Sequence, residues 1–477
     1  MTVCQAYPFV LGFRVSPDDI LYHWYALHAP SDWFKTASSF AHEQGRVGHF
    51  LSIPLMMLGA SVSGFLLMRI IIILAYFSVL LGFAYLVSLV LRKNLTGWIF
   101  LFFISFHPLA YSHLPPNAYP LLITIPLFII LAVQIWLTRI NQDTKGISLS
   151  GAMLAYLLLT LALLTHEYAM IFGGLLFCIG WLGGLICESN PHLHPGNHAK
   201  KQGQARIEKI NLLAIFTVGV MYLAFRLSFP SSYAGNTTDG FGNPILALKT
   251  LLAHAYFGTS FGPVVNFQNT LISIPSIDAI DPIHIGISLL VSLLTCILSW
   301  MLSQNFQRID RLIWAIGIAI AFGILCALPI ALISKYQQWV GSCSFSAGGI
   351  GCAYIDSRLS YLGYMGALAL SSIGILTAPF SLVKKFYLRS VIALVLGLVG
   401  GYTYLHNWVI SEQIRQYVSP WKTANQLACT SSWNSLSDAQ LIARIDPSHV
   451  LLYHPDFDQA AYWRAYILDQ GHALVCP

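Results

Sequence analysis

The residues from 66 to 91 form a nearly unbroken apolar run, and a run of that length admits few folds. A hydrocarbon layer about 30 Å thick is crossed by a helix of about 20 apolar residues. Inside lipid every backbone N–H and C=O must be satisfied by the protein, which leaves helices and closed barrels. Further runs of this kind lie at 96–112, 119–138, 150–166, 169–187, 210–229, 284–303, 312–334, 361–382 and 387–406. They make about ten spans, or about eleven with the apolar segment Ala6 to Phe13, which is too short to cross alone and reads as the tail of a first helix. Composition agrees: 56% of the 477 residues are hydrophobic, only 9% are charged, and the mean hydropathy is +0.66. Soluble domains average about a quarter charged. The expected fold is therefore an all-α polytopic membrane protein of about 10 to 11 transmembrane helices, with the lipid bilayer as its first partner.

Lys and Arg gather in the loops on the cytoplasmic side of a membrane protein. Here Arg92 and Lys93, then Arg139 and Lys145, then Lys200, Lys201, Arg206 and Lys209, then Arg308 and Arg311, then Lys384, Lys385 and Arg389 fall in every second connection. Those connections are assigned to the inside. The net charge of +6 follows from this asymmetry, and no basic tract suited to nucleic acid exists. The remaining connections face outward: 14–50, 113–118, the turn near 167, 230–283, 335–360 and the tail from 407 to 477. Residues 1–406 are thus expected to form the membrane module, and 407–477 a small extracytoplasmic α/β domain. Its elements would be a helix over Gln440–Ile445 and a strand over Val450–Tyr453.

Cys343 and Cys352 share one outer loop, and Cys429 and Cys476 share the tail. An even number of thiols in an oxidising compartment suggests two local disulfides, with free thiols or a pairing of Cys429 with Cys352 as the alternatives. Cys178, Cys187, Cys296 and Cys326 lie in spans and read as small buried hydrophobes.

In a chain so poor in acid, the pair Asp18-Asp19 in the first outer loop needs a reason. Pro17 favours a helix start, and one Asp there would gain about 0.3 to 1 kcal/mol from the helix dipole. A second adjacent carboxylate repels the first, which raises one pKa and suits a general base or a divalent metal such as Mg or Mn. Arg46 follows Gly45 at the entry to the next apolar segment. Its planar fork matches a phosphate bidentately, against the plainer reading of a cation reaching the interface. His166-Glu167 ends a long span, where Glu167 would orient His166 or bind a sugar, or simply form an interfacial turn. Arg358 and Lys335, at outer span ends, are further phosphate contacts. The turn holding His107, His113 and Asn117 is a weaker candidate for touching a polar substrate.

Ser16-Pro17-Asp18-Asp19 followed by Gln44-Gly45-Arg46, on about eleven spans with an external tail, resembles the GT-C superfamily of glycosyltransferases. Within it, these residues look most like the bacterial branch that decorates surface glycans, the glucosyltransferases acting on O-antigen. The resemblance implies a polyprenyl-phosphate-linked sugar donor and inverting transfer to a glycan, lipid or protein acceptor. It also implies an active site on the periplasmic face of a bacterial inner membrane. Asp18 or Asp19 would be the base, and Arg46 and Arg358 would hold the lipid phosphate. A phosphate leaves readily, so a cation can replace the general acid. The competing readings are an O-antigen polymerase or ligase, which would depend on the 230–283 loop, and a transporter, which would carry charges at mid-membrane and internal repeats.

Overall fold

The computed structural model describes residues 1–11, 17–28, 32–62, 65–109, 120–142, 147–188, 197–232, 243–257, 280–306, 309, 312–341, 360–416, 419–447, 451 and 457–473; of Asp18, Asp19 and Lys335 it describes the backbone alone. Among these residues every regular element is a helix. Two short helices, α1 (Thr2–Leu11) and α2 (Pro17–His28), lead to α3 (Trp33–Gln44) and α4 (His49–Val62). The bundle continues with α5 (Leu66–Leu91), α6 (Thr96–Ser105), α7 (Pro120–Gln142), α8 (Leu149–Thr165), α9 (Glu167–Glu188), α10 (Asn197–Ser228) and α11 (Pro244–Phe257). It is completed by α12 (Pro282–Ser303), α13 (Leu312–Ala331), α14 (Ser334–Gly341), α15 (Ser360–Thr377) and α16 (Leu382–Gln416). The tail adds α17 (Ser419–Ala428), α18 (Asp438–Ile445) and α19 (Gln459–Ala473).

Six helices are long and apolar enough to cross a bilayer: Leu66–Leu91, Leu121–Asn141, Ala205–Ser228, Pro282–Ser303, Leu312–Ala331 and Ser360–Thr377. Their outward residues are apolar, with Leu213, Phe216 and Leu223 on α10 and Leu289, Leu293 and Met301 on α12 more than half exposed. Such a surface is stable against lipid and aggregates in water. The chain is an integral membrane protein of helical type.

Against the expected count of about ten spans, these six are the helices that meet the length and composition of a span among the described residues, and shorter apolar helices accompany them. The run 96–112 holds only the 10-residue α6, about 15 Å long and half a bilayer. Pro108 explains the stop, because the residue before a proline is driven out of the helical region. The backbone freed there is satisfied by one side chain: Asn407 Nδ2 donates to His107 O at 2.9 Å, and Leu109 N donates to Asn407 Oδ1 at 2.5 Å. The spans expected at 169–187 and 387–406 fall inside α9 and α16, and α16 runs on without a break past 406.

Two ends of the bundle are chemically distinct. Arg139 donates to the Tyr85 hydroxyl, and Arg206 Nη1 reaches Ile147 O at 3.5 Å, beside the start of α8. Glu167 and Arg46 sit beyond the other end of α8, about 25 Å away for a 17-residue helix. This is the separation that the alternating cations implied.

The expected α/β character of the tail is not supported: no strand occurs among its described residues. Among the described residues it consists of α17, a 3-10 turn at Ser431–Ser435, α18 and α19. The helix expected over Gln440–Ile445 is present as α18, which starts earlier, at Asp438, behind a full capping box between Ser437 and Gln440. Of the expected strand over Val450–Tyr453 only Leu451 is described. It is buried in the tail core, with its N–H on the Asp446 carboxylate at 3.2 Å rather than on a neighbouring strand. Trp421, Leu441, Tyr462, Trp463 and Ile467 fill that core, which helices bearing large aromatics close without a sheet.

Candidate functional site

The site grows from the end of α3. Gly45 adopts φ 61° and ψ 36°, which a residue with a side chain takes at a cost. Gly45 N donates to His42 O at 3.3 Å and Arg46 N to Ala41 O at 3.0 Å, a Schellman closure that turns the chain sharply. This turn docks on the end of α10. Arg226 Nη1 donates to Gln44 O at 2.6 Å, and Ser232 N donates to Glu43 O at 3.2 Å. No side chain fits at Gly45, whose Cβ would collide with Phe229 O and lie 2.9 Å from Arg226 Nη1. Gly48 is equally enclosed, by the Tyr222 hydroxyl and by Leu164 O, the latter 2.5 Å from where a Cβ would stand.

That close approach carries Arg46 to the junction of α8 and α9. Arg46 Nε lies 3.1 Å from Glu167 Oε1, with the two side chains 24% and 35% exposed. His166 interrupts the two helices in extended conformation. Its Nδ1 accepts from Tyr168 N at 3.2 Å, so a neutral ring carries its proton on Nε2. A protonated ring would instead pair with Glu167 Oε2, 3.6 Å from Nδ1. His49, three residues after Arg46, is buried between Gln44 Oε1 at 3.0 Å and Ser52 Oγ at 2.9 Å. Because an amide oxygen only accepts, His49 Nε2 must donate to Gln44, and Ser52 donates to Nδ1.

Burial alone would push the Glu167 carboxyl up; Arg46 and His166, with its own backbone N–H, outweigh it and hold it down to about 2. For Arg46 burial opposes the charge, and Glu167 with Tyr168, Tyr222 and Tyr336 reverses that, so the guanidinium is firmly cationic. His49 is lowered to about 3, first by burial and then by Arg46, and is neutral at pH 7. Two guanidiniums, Arg46 and Arg226, are within electrostatic reach of the Glu167 carboxylate at a helix-bundle end. Chemically it is suited to an anion. It is a poor general base, because a carboxylate held near 2 has little proton affinity.

The structure thus joins three of the residues singled out from sequence, Arg46, His166 and Glu167. Glu167 neither stands free for a sugar nor serves only His166, since its nearest charged partner is Arg46. The carboxylates of Asp18 and Asp19 lie outside the described residues, as does all of Arg358; the Asp pair occupies the first turn of α2, as Pro17 implied. The Lys335 side chain also lies outside them, but its neighbour Tyr336 on α14 is within electrostatic reach of Arg46. The metal expectation rests on the Asp pair and is therefore not addressed by the described side chains. The Arg46 cluster itself is no cation site, because a guanidinium already neutralises its carboxylate. His113 and Asn117 lie outside the described residues. His107, a weaker candidate for touching a polar substrate, is 2% exposed, with Nε2 2.6 Å from the Tyr76 hydroxyl.

Sequence reasoning missed His49, Tyr222 and Arg226. Arg226 carried a usable signal, being a lone cation at the end of the apolar stretch 212–227, like Arg46 at its own helix end. A separate apolar pocket, lined by Phe83, Ala319, Gly363 and Gly366 among others, lies between α5, α6, α13 and α15 and takes no part in the polar cluster.

Cys429 is disulfide-bonded, while Cys343, Cys352 and Cys476 lie outside the described residues. Cys296 and Cys326 are free thiols in membrane helices, as expected. No protein-family model matches this chain, and neither a curated protein nor a solved structure matches it.

Proposed function

We propose that the protein is an inverting glycosyltransferase that moves a sugar from a polyprenyl-phosphate donor to an acceptor on the non-cytoplasmic side of the membrane. The observation that carries this reading is the Arg46 cluster: a cation-rich, anion-suited site at the end of a bundle of membrane helices. A phosphate joined to a lipid is the anion native to that depth. The disulfide at Cys429 supports an oxidising compartment on the tail's side.

In the reaction the acceptor hydroxyl attacks the anomeric carbon from the face opposite the phosphate. The new C–O bond forms as the anomeric C–O bond to phosphate breaks, and configuration inverts. The hydroxyl proton passes to Asp18 or Asp19, and the electron pair leaves with the polyprenyl phosphate, whose added charge Arg46 stabilises. Glu167 holds Arg46 in place and stays ionised throughout, which leaves the base role to the Asp pair.

Two alternatives receive less support. A transporter would place its ionisable groups along the spans, whereas the Arg46–Glu167 pair is at helix ends. A polymerase or ligase would work through the 230–283 loop, of which 233–242 and 258–279 lie outside the described residues.

The test uses the purified protein in lipid nanodiscs with a panel of radiolabelled polyprenyl-phosphate hexoses and pentoses and a surface-glycan extract as acceptor. Label is expected to move to the acceptor. Asp18→Asn or Asp19→Asn should cut turnover by about 100-fold or more, and Arg46→Gln should do the same with weaker retention of polyprenyl phosphate. Full turnover in both Asn variants would end the proposal.

A further inference from the structure

Helix α2, which carries the Asp pair, is gripped from two sides. Ile20, 1% exposed, enters the tail core with Trp421, Leu441 and Trp463, and Trp24 and Leu27 pack on it from the same face. Ala26, with Tyr22 and Tyr25, faces the other way, into Ala37, Ile53 and Met57 of α3 and α4. The spacing 20, 24, 27 is one helical face and 22, 25, 26 is another. A helix of 12 residues gains little from its own hydrogen bonds, so these two contacts decide where it stands.

At the seam lies one polar link between residues 439 positions apart. His23 Nδ1 is 3.0 Å from the Tyr462 hydroxyl, and Trp421 Nε1 is 3.0 Å from the same oxygen. An indole N–H only donates, so the Tyr462 oxygen accepts from Trp421. Its single proton can then go to His23, which accepts on Nδ1 in the tautomer protonated at Nε2. The His23 ring meets Tyr462 and Tyr466 edge-on at 5.9 Å and 5.7 Å, which fixes its plane. Burial lowers its pKa to about 4, so the ring is neutral at pH 7.

We infer that His23 and Tyr462 are positioning residues: through their hydrogen bond the C-terminal helices hold α2 and set the place of the Asp18-Asp19 turn. The tail is then a clamp on the acidic helix. What the turn does rests on the reading given above, while the clamp does not.

The experiment uses the full-length chain in nanodiscs and measures hydrogen exchange of residues 17–28 by mass spectrometry, with turnover on the same panel of polyprenyl-phosphate sugars. His23→Leu leaves Tyr462 its bond to Trp421 and removes only the acceptor, whereas His23→Gln keeps an acceptor. His23→Leu is expected to raise exchange over 17–28 by about tenfold, with 149–165 and 438–445 unchanged and His23→Gln within about threefold of the parent. Tyr462→Phe added to His23→Leu should raise exchange over 17–28 no further. In turnover, kcat should fall with donor KM nearly constant, because the phosphate cluster lies elsewhere. Unchanged exchange in His23→Leu, failure of His23→Gln to rescue it, or a rise spread equally over the tail helices would overturn the clamp. Raised exchange over 17–28 in a protein with no sugar transfer would leave the clamp standing and remove the glycosyltransferase reading.

Discussion

Replacing Gly45 by alanine separates two costs that meet at the turn before Arg46. The first is conformational: φ 61° costs a non-glycine residue about 1 to 2 kcal/mol. The second is steric, since the new Cβ would collide with Phe229 O, a backbone atom that cannot swing aside, and crowd Arg226. Relief requires the ends of α3 and α10 to part, which breaks Arg226 Nη1 to Gln44 O and Ser232 N to Glu43 O. A hydrogen bond from a charged group is worth about 1.5 to 3 kcal/mol and a neutral one about 1 kcal/mol. Gly45→Ala should therefore lose about 4 kcal/mol, read as reversible unfolding in bicelles. Gly45→Asn supplies the discriminating comparison, because asparagine tolerates the left-handed region but carries the same Cβ. If the carbonyl contact dominates, Asn recovers no more than about 1 kcal/mol. Recovery of parental stability by Asn, or a loss under about 1 kcal/mol in Ala, would refute the reasoning and reduce Gly45 to an ordinary helix terminator.

Acid should weaken the fold in two stages. Glu167 is held at about 2 against an ordinary 4.5, so its contribution is full above about 4.5 and disappears as pH falls toward 2; Arg46→Gln should move that limb to higher pH in an unfolding series. His49, lowered to about 3 from 6.5, takes its proton in the unfolded chain first, so stability also drains as pH falls from about 6.5 toward 3, and His49→Gln should flatten that limb. Cys429 should resist alkylation until a reductant is added, and reduction should speed exchange in α17 while leaving α8 unchanged; labelling of Cys429 before reduction would contradict the disulfide.

Some of this molecule is set by constraints that act within a few turns of chain, and those were legible. Hydrocarbon thickness and the need to satisfy backbone groups turn the run 66–91 into α5, and the alternating cations separate the two ends of the bundle. Pro17 starts α2, and the run Gln440–Ile445 forms most of α18. Pairings between distant segments were not legible, because they depend on how helices settle against one another. Arg46 meets Glu167 only because Gly45 and Gly48 let the α3–α4 turn sink onto α8 and α10, a fit of volumes that leaves no mark on the local pattern of either residue. The contact of the tail core with α2 has the same origin: its aromatic side chains find a partner in Ile20 and Trp24, more than 390 positions earlier in the chain.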